Sequence, residues 1–346
     1  MKNKRYKGLV ILMLGILCLN VSCDSFLPDD LDTFADDTQF VQKIYRPILG
    51  RNLLMSNNFN PGNSSRPFAM KIVNLIRAED GTPAAELTEK FPVKIWTKPY
   101  NGDETSIEEI ESKRTTEYRP LFSIREHSGE FMMWASANSS FVSTEPAAGY
   151  TFDVEVTNSG GRRYFEDFQL IPQREQQYEP SIYDPMVGIA ENAFVRPLIV
   201  SNVKGEESGF EITRDDIEIY FNKNENDDID GSKTLTFRFF DSDYNPINPA
   251  NFNLTNWEQL IHGFDMELTD EYVRYKVAYP IPLVEMVTPY TNSSGEMAHT
   301  DFSYDRLNAG GFREVANIEF DFSIYEEGHW EIIVVFTREN PKFEND

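Results

Sequence analysis

Cysteine is almost missing from this chain: its 346 residues include two, Cys18 and Cys23, and none follows. Thiolate catalysis, cysteine-ligated zinc and a disulfide framework are therefore excluded for the body of the protein, whose stability must rest on core burial. Histidine is scarce as well, with four residues, His127, His262, His299 and His329. None belongs to a G-x-S-x-G elbow or to an i, i+4 helical pair, so neither serine hydrolysis nor a helical zinc site finds a motif. Positive charge is short: 32 Lys+Arg stand against 57 Asp+Glu, a formal net charge of −25. Such a chain repels phosphate and lacks the basic clusters that nucleic acid requires. No apolar run reaches the roughly 18–20 residues of a membrane-spanning helix, and no period of roughly 20–50 residues announces a solenoid or propeller.

What is present is aromatic. Hydrophobic residues make up 40% of the chain, with 26 Phe and 16 Tyr, enough to build packed cores and to exclude wholesale disorder. The length fits two domains at roughly 150 residues each. The N-terminus has its own logic: Lys2, Lys4, Arg5 and Lys7 precede the short apolar run Gly8 to Leu19, which leads to Asn20-Val21-Ser22-Cys23. This reads as a signal peptide over 1–22 ending in a lipobox-like exit, with Asn20 where leucine is usual. Cys23 is the expected lipidation site. Residues 23–38, carrying Asp24, Asp29, Asp30, Asp32, Asp36 and Asp37, are expected to form an acidic tether. The expected address is the outer membrane, held by the lipid alone and facing outward.

Strand-like runs dominate the remainder. In TFDVEV, Phe152, Val154 and Val156 alternate with Asp153 and Glu155, the period of two of a strand with one wet face, and Asn158-Ser-Gly-Gly161 turns it into a hairpin. Similar runs cover 68–76, 93–96, 121–125 and 130–135 in the first half. In the second they cover 193–200, 216–221, 233–240, 272–277, 318–324 and 330–336, with Glu326 to His329 joining the last two as a hairpin. Ser106 with Glu109 forms a capping box, and the spacing predicts a helix from Ser106 to about Tyr118; a second short helix is expected near Asn256 to Ile261. The stretch PQREQQYEPSIYDP is poor in aliphatics and reads as a linker. The predicted organisation is mostly β: an N-terminal β-rich domain over 39–171, a linker over 172–186, and an immunoglobulin-like β-sandwich over 187–346, both domains being sandwiches with one or two short helices.

Few residues point to chemistry. The carboxylate pairs Asp153/Glu155 and Glu319/Asp321 lie on wet strand faces in a chain rich in acids, so catalysis is not expected. Asn226, Asp228 and Asp230, with Gly231, match the first positions of a calcium loop, which suits a hard cation. The twelfth position would be Phe237 and not a bidentate Glu, so a solvated loop is the better reading and no cofactor is expected beyond a candidate Ca²⁺. Aromatic rings stack on the C–H faces of sugars; Tyr244, Tyr290 and Trp257 are the candidate ligand-binding residues.

The blocks AGYTFDVEVTNSGGRRYFEDF, SIEEIESKR, LTFRFFDSDYNPI, NWEQLIHGF, YKVAYPIPL and SIYEEGHWEIIVVF, from about Asp24 to Phe343, resemble a Bacteroidetes-type family of uncharacterised surface lipoproteins. That resemblance implies an accessory role in starch-utilisation-like polysaccharide uptake. The implied partners are a polysaccharide or oligosaccharide, a TonB-dependent porin and a carbohydrate-capturing lipoprotein. The expectation is non-catalytic binding of an extracellular glycan or nutrient. An adhesin or pilus-associated subunit is the alternative, with a glycoside hydrolase less favoured.

Overall fold

A computed structural model describes residues 34–225 and 231–346. Cys23, most of the expected tether, and the calcium-loop residues Asn226, Asp228 and Asp230 lie outside the described residues. The tether's last residues are packed: the Ala35 N–H donates to Ser64 Oγ at 2.9 Å, and Thr38 is buried.

The protein is mostly β and sandwich-like. In the first half, Tyr150–Asn158 sits between Ala69–Arg77 and Gly161–Leu170, all antiparallel, with Ile44–Tyr45 added in parallel at the edge. Phe152, Val154 and Val156 turn inward as the alternation predicts, and all three are buried. They meet a three-stranded sheet of Leu53–Met55, Phe131–Met133 and Phe122–Ile124. The shared core is a phenylalanine cluster in which Phe152 lies 5.4 Å from Phe131, edge-on, and 5.0 Å from Phe168, stacked. Such geometries add to the area the rings remove from water.

The second half packs a five-stranded sheet against a smaller one. The order in the first is Ile217–Lys223, His329–Phe336, Thr234–Phe240, Tyr272–Val277, Gly263–Leu268. In the other, Arg313–Ile324 pairs with Ala298–Leu307, Ile199–Ser201 and Tyr178–Glu179. Phe237, Phe302, Phe320 and Phe322 fill the space between, while Glu319 and Asp321 face outward.

Three expectations are corrected. Glu326 to His329 is not a hairpin, because Arg313–Ile324 and His329–Phe336 lie in opposite sheets. The chain crosses the sandwich there, and Trp330, buried between the sheets, donates its Nε1–H to the Glu326 carbonyl at 2.9 Å. The first helix covers only Ile107–Ser112. Ser106 Oγ caps it by accepting from the Glu109 N–H at 3.1 Å, but the Glu109 carboxylate takes the Thr105 N–H and not that of Ser106. From Arg114 the β-branched and aromatic residues Thr115, Thr116 and Tyr118 favour a strand, and Arg114–Pro120 pairs antiparallel with Lys90–Trp96. The second helix shrinks to one 3₁₀ turn, Trp257–Gln259.

The polar stretch 172–186 does not run free. Tyr178 is buried, pairs with Ile324 and stacks on Phe221 at 4.2 Å. The chain between the halves is thereby stitched to both, because Leu49 N–H donates to the Gln173 carbonyl at 3.1 Å.

Candidate ligand groove between the halves

Among the places where the two halves meet, two have opposite character. In the first, Tyr100, Ile110, Ala278 and Leu283 form a small buried cluster. His262 is held there between partners: Nε2 lies 2.8 Å from the Glu104 carbonyl and Nδ1 lies 2.5 Å from the Tyr100 hydroxyl. A carbonyl only accepts, so Nε2 carries the proton and Nδ1 accepts from Tyr100. Tyr290 stacks on the other side of the imidazole at 4.8 Å, 5° from parallel. Beneath it the Glu104 carboxylate accepts from Lys113 and from the N–H groups of Asn101 and Gly102. Burial pushes that carboxyl up, but these hydrogen bonds outweigh it and hold its pKa at about 2. The remaining space is about 20 Å³, room for roughly one water. It is a joint and not a ligand site.

The second place is open, with a cavity of about 730 Å³, within the range of roughly 300–1,000 Å³ typical of small-molecule sites. One wall comes from the first half. Gly50 occupies a left-handed φ of +76°, and a Cβ there would lie 2.9 Å from Glu175 Cβ, so only glycine lets the two segments pass. Asn52 Oδ1 accepts from the Ala135 N–H at 2.9 Å and Asn138 Oδ1 from the Ser140 N–H at 2.8 Å. Their Nδ2 groups have no partner among the described residues.

The second wall is the turn from 182 to 191. Here the Asp184 N–H donates to the Ile189 carbonyl at 3.0 Å, and Asp184 Oδ1 accepts from Met186 and Val187. Tyr183 on this wall is partly exposed.

The third wall is Tyr325 to Glu327. Arg51 lies 3.7 Å over the Tyr325 ring and donates to Glu179 at 2.7 Å, while the Tyr325 hydroxyl donates to Glu179 at 3.0 Å. Burial, with Glu179 beside it, pushes the phenol up to about 12 against the opposing pull of Arg51, so it keeps its proton. The network ties residue 51 of the first half to residue 325 of the second and fixes the groove's floor.

The residues singled out in the sequence lie elsewhere. Tyr244 is exposed at a positive φ of 61° on its loop. Trp257 packs on the second core, 5.9 Å from Phe302. Tyr290 belongs to the closed joint. None of the three lines the groove. The other histidines are engaged with Phe68, Asp321 and Thr234. Among the described residues no group of three or more His, Cys, Asp or Glu is arranged to hold a metal ion, and no helix is long and apolar enough to cross a membrane. Tyr183, Arg174 and Asp184 were hidden inside the presumed linker; the signal that could have found them is the tyrosine-bearing, amide-rich composition of that stretch.

Residues 59–345 match a family described as Domain of unknown function (DUF5007). The chain belongs to that family. The DUF5007 span takes in the second core, all of the first except its N-terminal members such as Phe40, Tyr45 and Leu49, and every residue of the groove except Gly50 and Asn52. No curated protein matches the chain.

Proposed function

We propose that this DUF5007 protein binds an extracellular oligosaccharide in the groove between its halves and does not turn it over. The observation that carries this reading is the groove's chemistry. The groove sets the polar side chains of Asn52, Ser136, Asn138 and Gln176 beside apolar surface and two tyrosines, a lining matched to a ligand covered in hydroxyls with C–H faces for the rings. The groove's acids are committed to internal hydrogen bonds or ion pairs, which disfavours their use as the paired carboxylates of a hydrolase.

In the same reading the protein is anchored at the outer membrane through Cys23, faces outward, and serves a TonB-dependent porin and its carbohydrate-capturing lipoprotein of the Bacteroidetes type. The N-terminal pattern and the resemblance support this part. An adhesin or pilus subunit has less behind it. The open edge of the larger sheet, Gly263–Leu268, is bulged between Phe264 and Glu267, and it carries Asp265 and Glu267, devices that discourage strand addition.

The test is a glycan array followed by calorimetry on the purified protein. Saturable binding is expected, weakened about ten-fold by Tyr183→Ala, equivalent to ~1.4 kcal/mol. Silence across neutral and acidic glycans, or binding indifferent to Tyr183, would sink the reading.

A further inference from the structure

We propose that the groove selects a sugar bearing a carboxylate, a uronate or its like, and that Arg174 is the residue that reads it; the inference rests on the oligosaccharide reading and narrows it. The charged groups of the groove fall into two kinds. Its acids are engaged. Glu175 accepts from the Ser139 N–H at 3.0 Å and from Ser139 Oγ at 2.9 Å. Asp184 accepts from two backbone N–H groups at 2.7 and 2.9 Å. Glu326 takes Lys223 and Gln177, and Glu327 lies 3.6 Å from Lys94. Arg174, by contrast, forms no ion pair and no side-chain hydrogen bond among the described residues, although it lines the same cavity.

Its place in the wall is nonetheless defined. Its backbone N–H donates to the Pro185 carbonyl at 3.1 Å. Its stem runs against the turn: a Cβ on Gly188 would lie 3.2 Å from Arg174 Cδ and 3.7 Å from Nε. The stem is thus set against the turn, and the exposed guanidinium, its fork of donors uncommitted, lines the same cavity as the free Nδ2 groups of Asn52 and Asn138. A planar guanidinium matches a carboxylate in bidentate fashion, and a neutral hydroxyl cannot return that charge. The net charge of −25 acts the other way at long range, and disfavours densely charged chains such as heavily sulfated ones. Close in, the groove's carboxylates already have their partners and Arg174 is the groove cation without a counter-ion among the described residues, so the contact it offers a carboxylate is direct and short-ranged. The ligand that satisfies both has carboxylates spaced along an otherwise neutral chain.

The experiment titrates oligogalacturonides, alginate fragments and hyaluronan fragments, each beside its carboxyl-reduced counterpart, against wild type, Arg174→Gln and Arg174→Lys. At least one acidic member is expected to bind about ten-fold or more tighter than its reduced form. Arg174→Gln should erase that preference by lowering affinity for the acidic form more than for the reduced form, and Arg174→Lys should restore only part of it. Equal affinity for acidic and reduced forms, or a preference that survives Arg174→Gln, overturns the inference and leaves the oligosaccharide reading standing. Binding of neutral array glycans with silence toward the acidic set does the same. Silence toward every glycan overturns both.

Discussion

The two meetings of the halves differ in what they bury. Around Tyr100, Ile110, Ala278 and Leu283 apolar side chains close on one another and the polar groups among them, His262 and Glu104, are fully partnered. Around Arg174, Asn52 and Asn138 the walls stand apart, and donors lack internal acceptors. A buried donor without a partner is costly, whereas one facing solvent costs little until a ligand displaces the water. The closed contact therefore carries the stability of the join, and the open one is left free to carry recognition. Fixing the halves at one place also holds the walls of the other at a set separation, so a ligand pays little to organise them.

The strongest way to break this contrast is Ile110→Ala. Ile110 is fully buried, and truncating it leaves a void between the halves, with an expected loss of about 4 kcal/mol in a urea titration. A loss below about 1 kcal/mol would mean that the contact is not a structural joint.

Glu104→Gln comes next, at roughly 3 kcal/mol, because it leaves Lys113 without its counter-charge. It also carries a pH signature. The Glu104 pKa is lowered from 4.5 to about 2 in the folded protein, so the unfolded chain takes up the proton first. The stabilisation is fully present above about pH 4.5 and is lost as pH falls toward 2. The difference between wild type and Glu104→Gln should shrink over that window in acid titrations followed by circular dichroism; a constant difference contradicts the assignment.

Much of the fold was legible because period-two alternation is local: TFDVEV and NIEFDFSI each declare which face is buried. Alternation does not say which strand lies beside which, and that is why Glu326 to His329 reads as a hairpin although its flanking strands join opposite sheets. The helix overran for a related reason. Glu108 to Lys113 favour a helix, and nothing local announces that Arg114–Pro120 will find Lys90–Trp96. The strand Ala298–Leu307 escaped because its alternation is broken by consecutive buried residues, Phe302, Ser303 and Tyr304. The groove was the least legible part. Its walls come from segments more than a hundred residues apart in sequence, and one of them, 172–186, has the composition of a linker because it is partly solvated even when ordered.

Two tyrosines make the finest test of the contrast. Tyr100 and Tyr183 both stand where the halves meet, but Tyr100 is buried and donates its hydroxyl to His262, while Tyr183 is open to solvent. Tyr100→Phe removes one O–H and leaves His262 Nδ1 without a donor, at an expected cost of about 1 kcal/mol in stability and no change in glycan affinity. Tyr183→Ala removes a whole ring, yet because that ring packs little it should alter stability by less than ~0.5 kcal/mol while weakening binding. Stability is read by urea titration and affinity by calorimetry on the same preparations. The smaller edit should therefore have the larger effect on folding and the larger edit the only effect on binding. If instead both variants lose stability and affinity together, the joint and the groove are one coupled element and the division of labour between them fails.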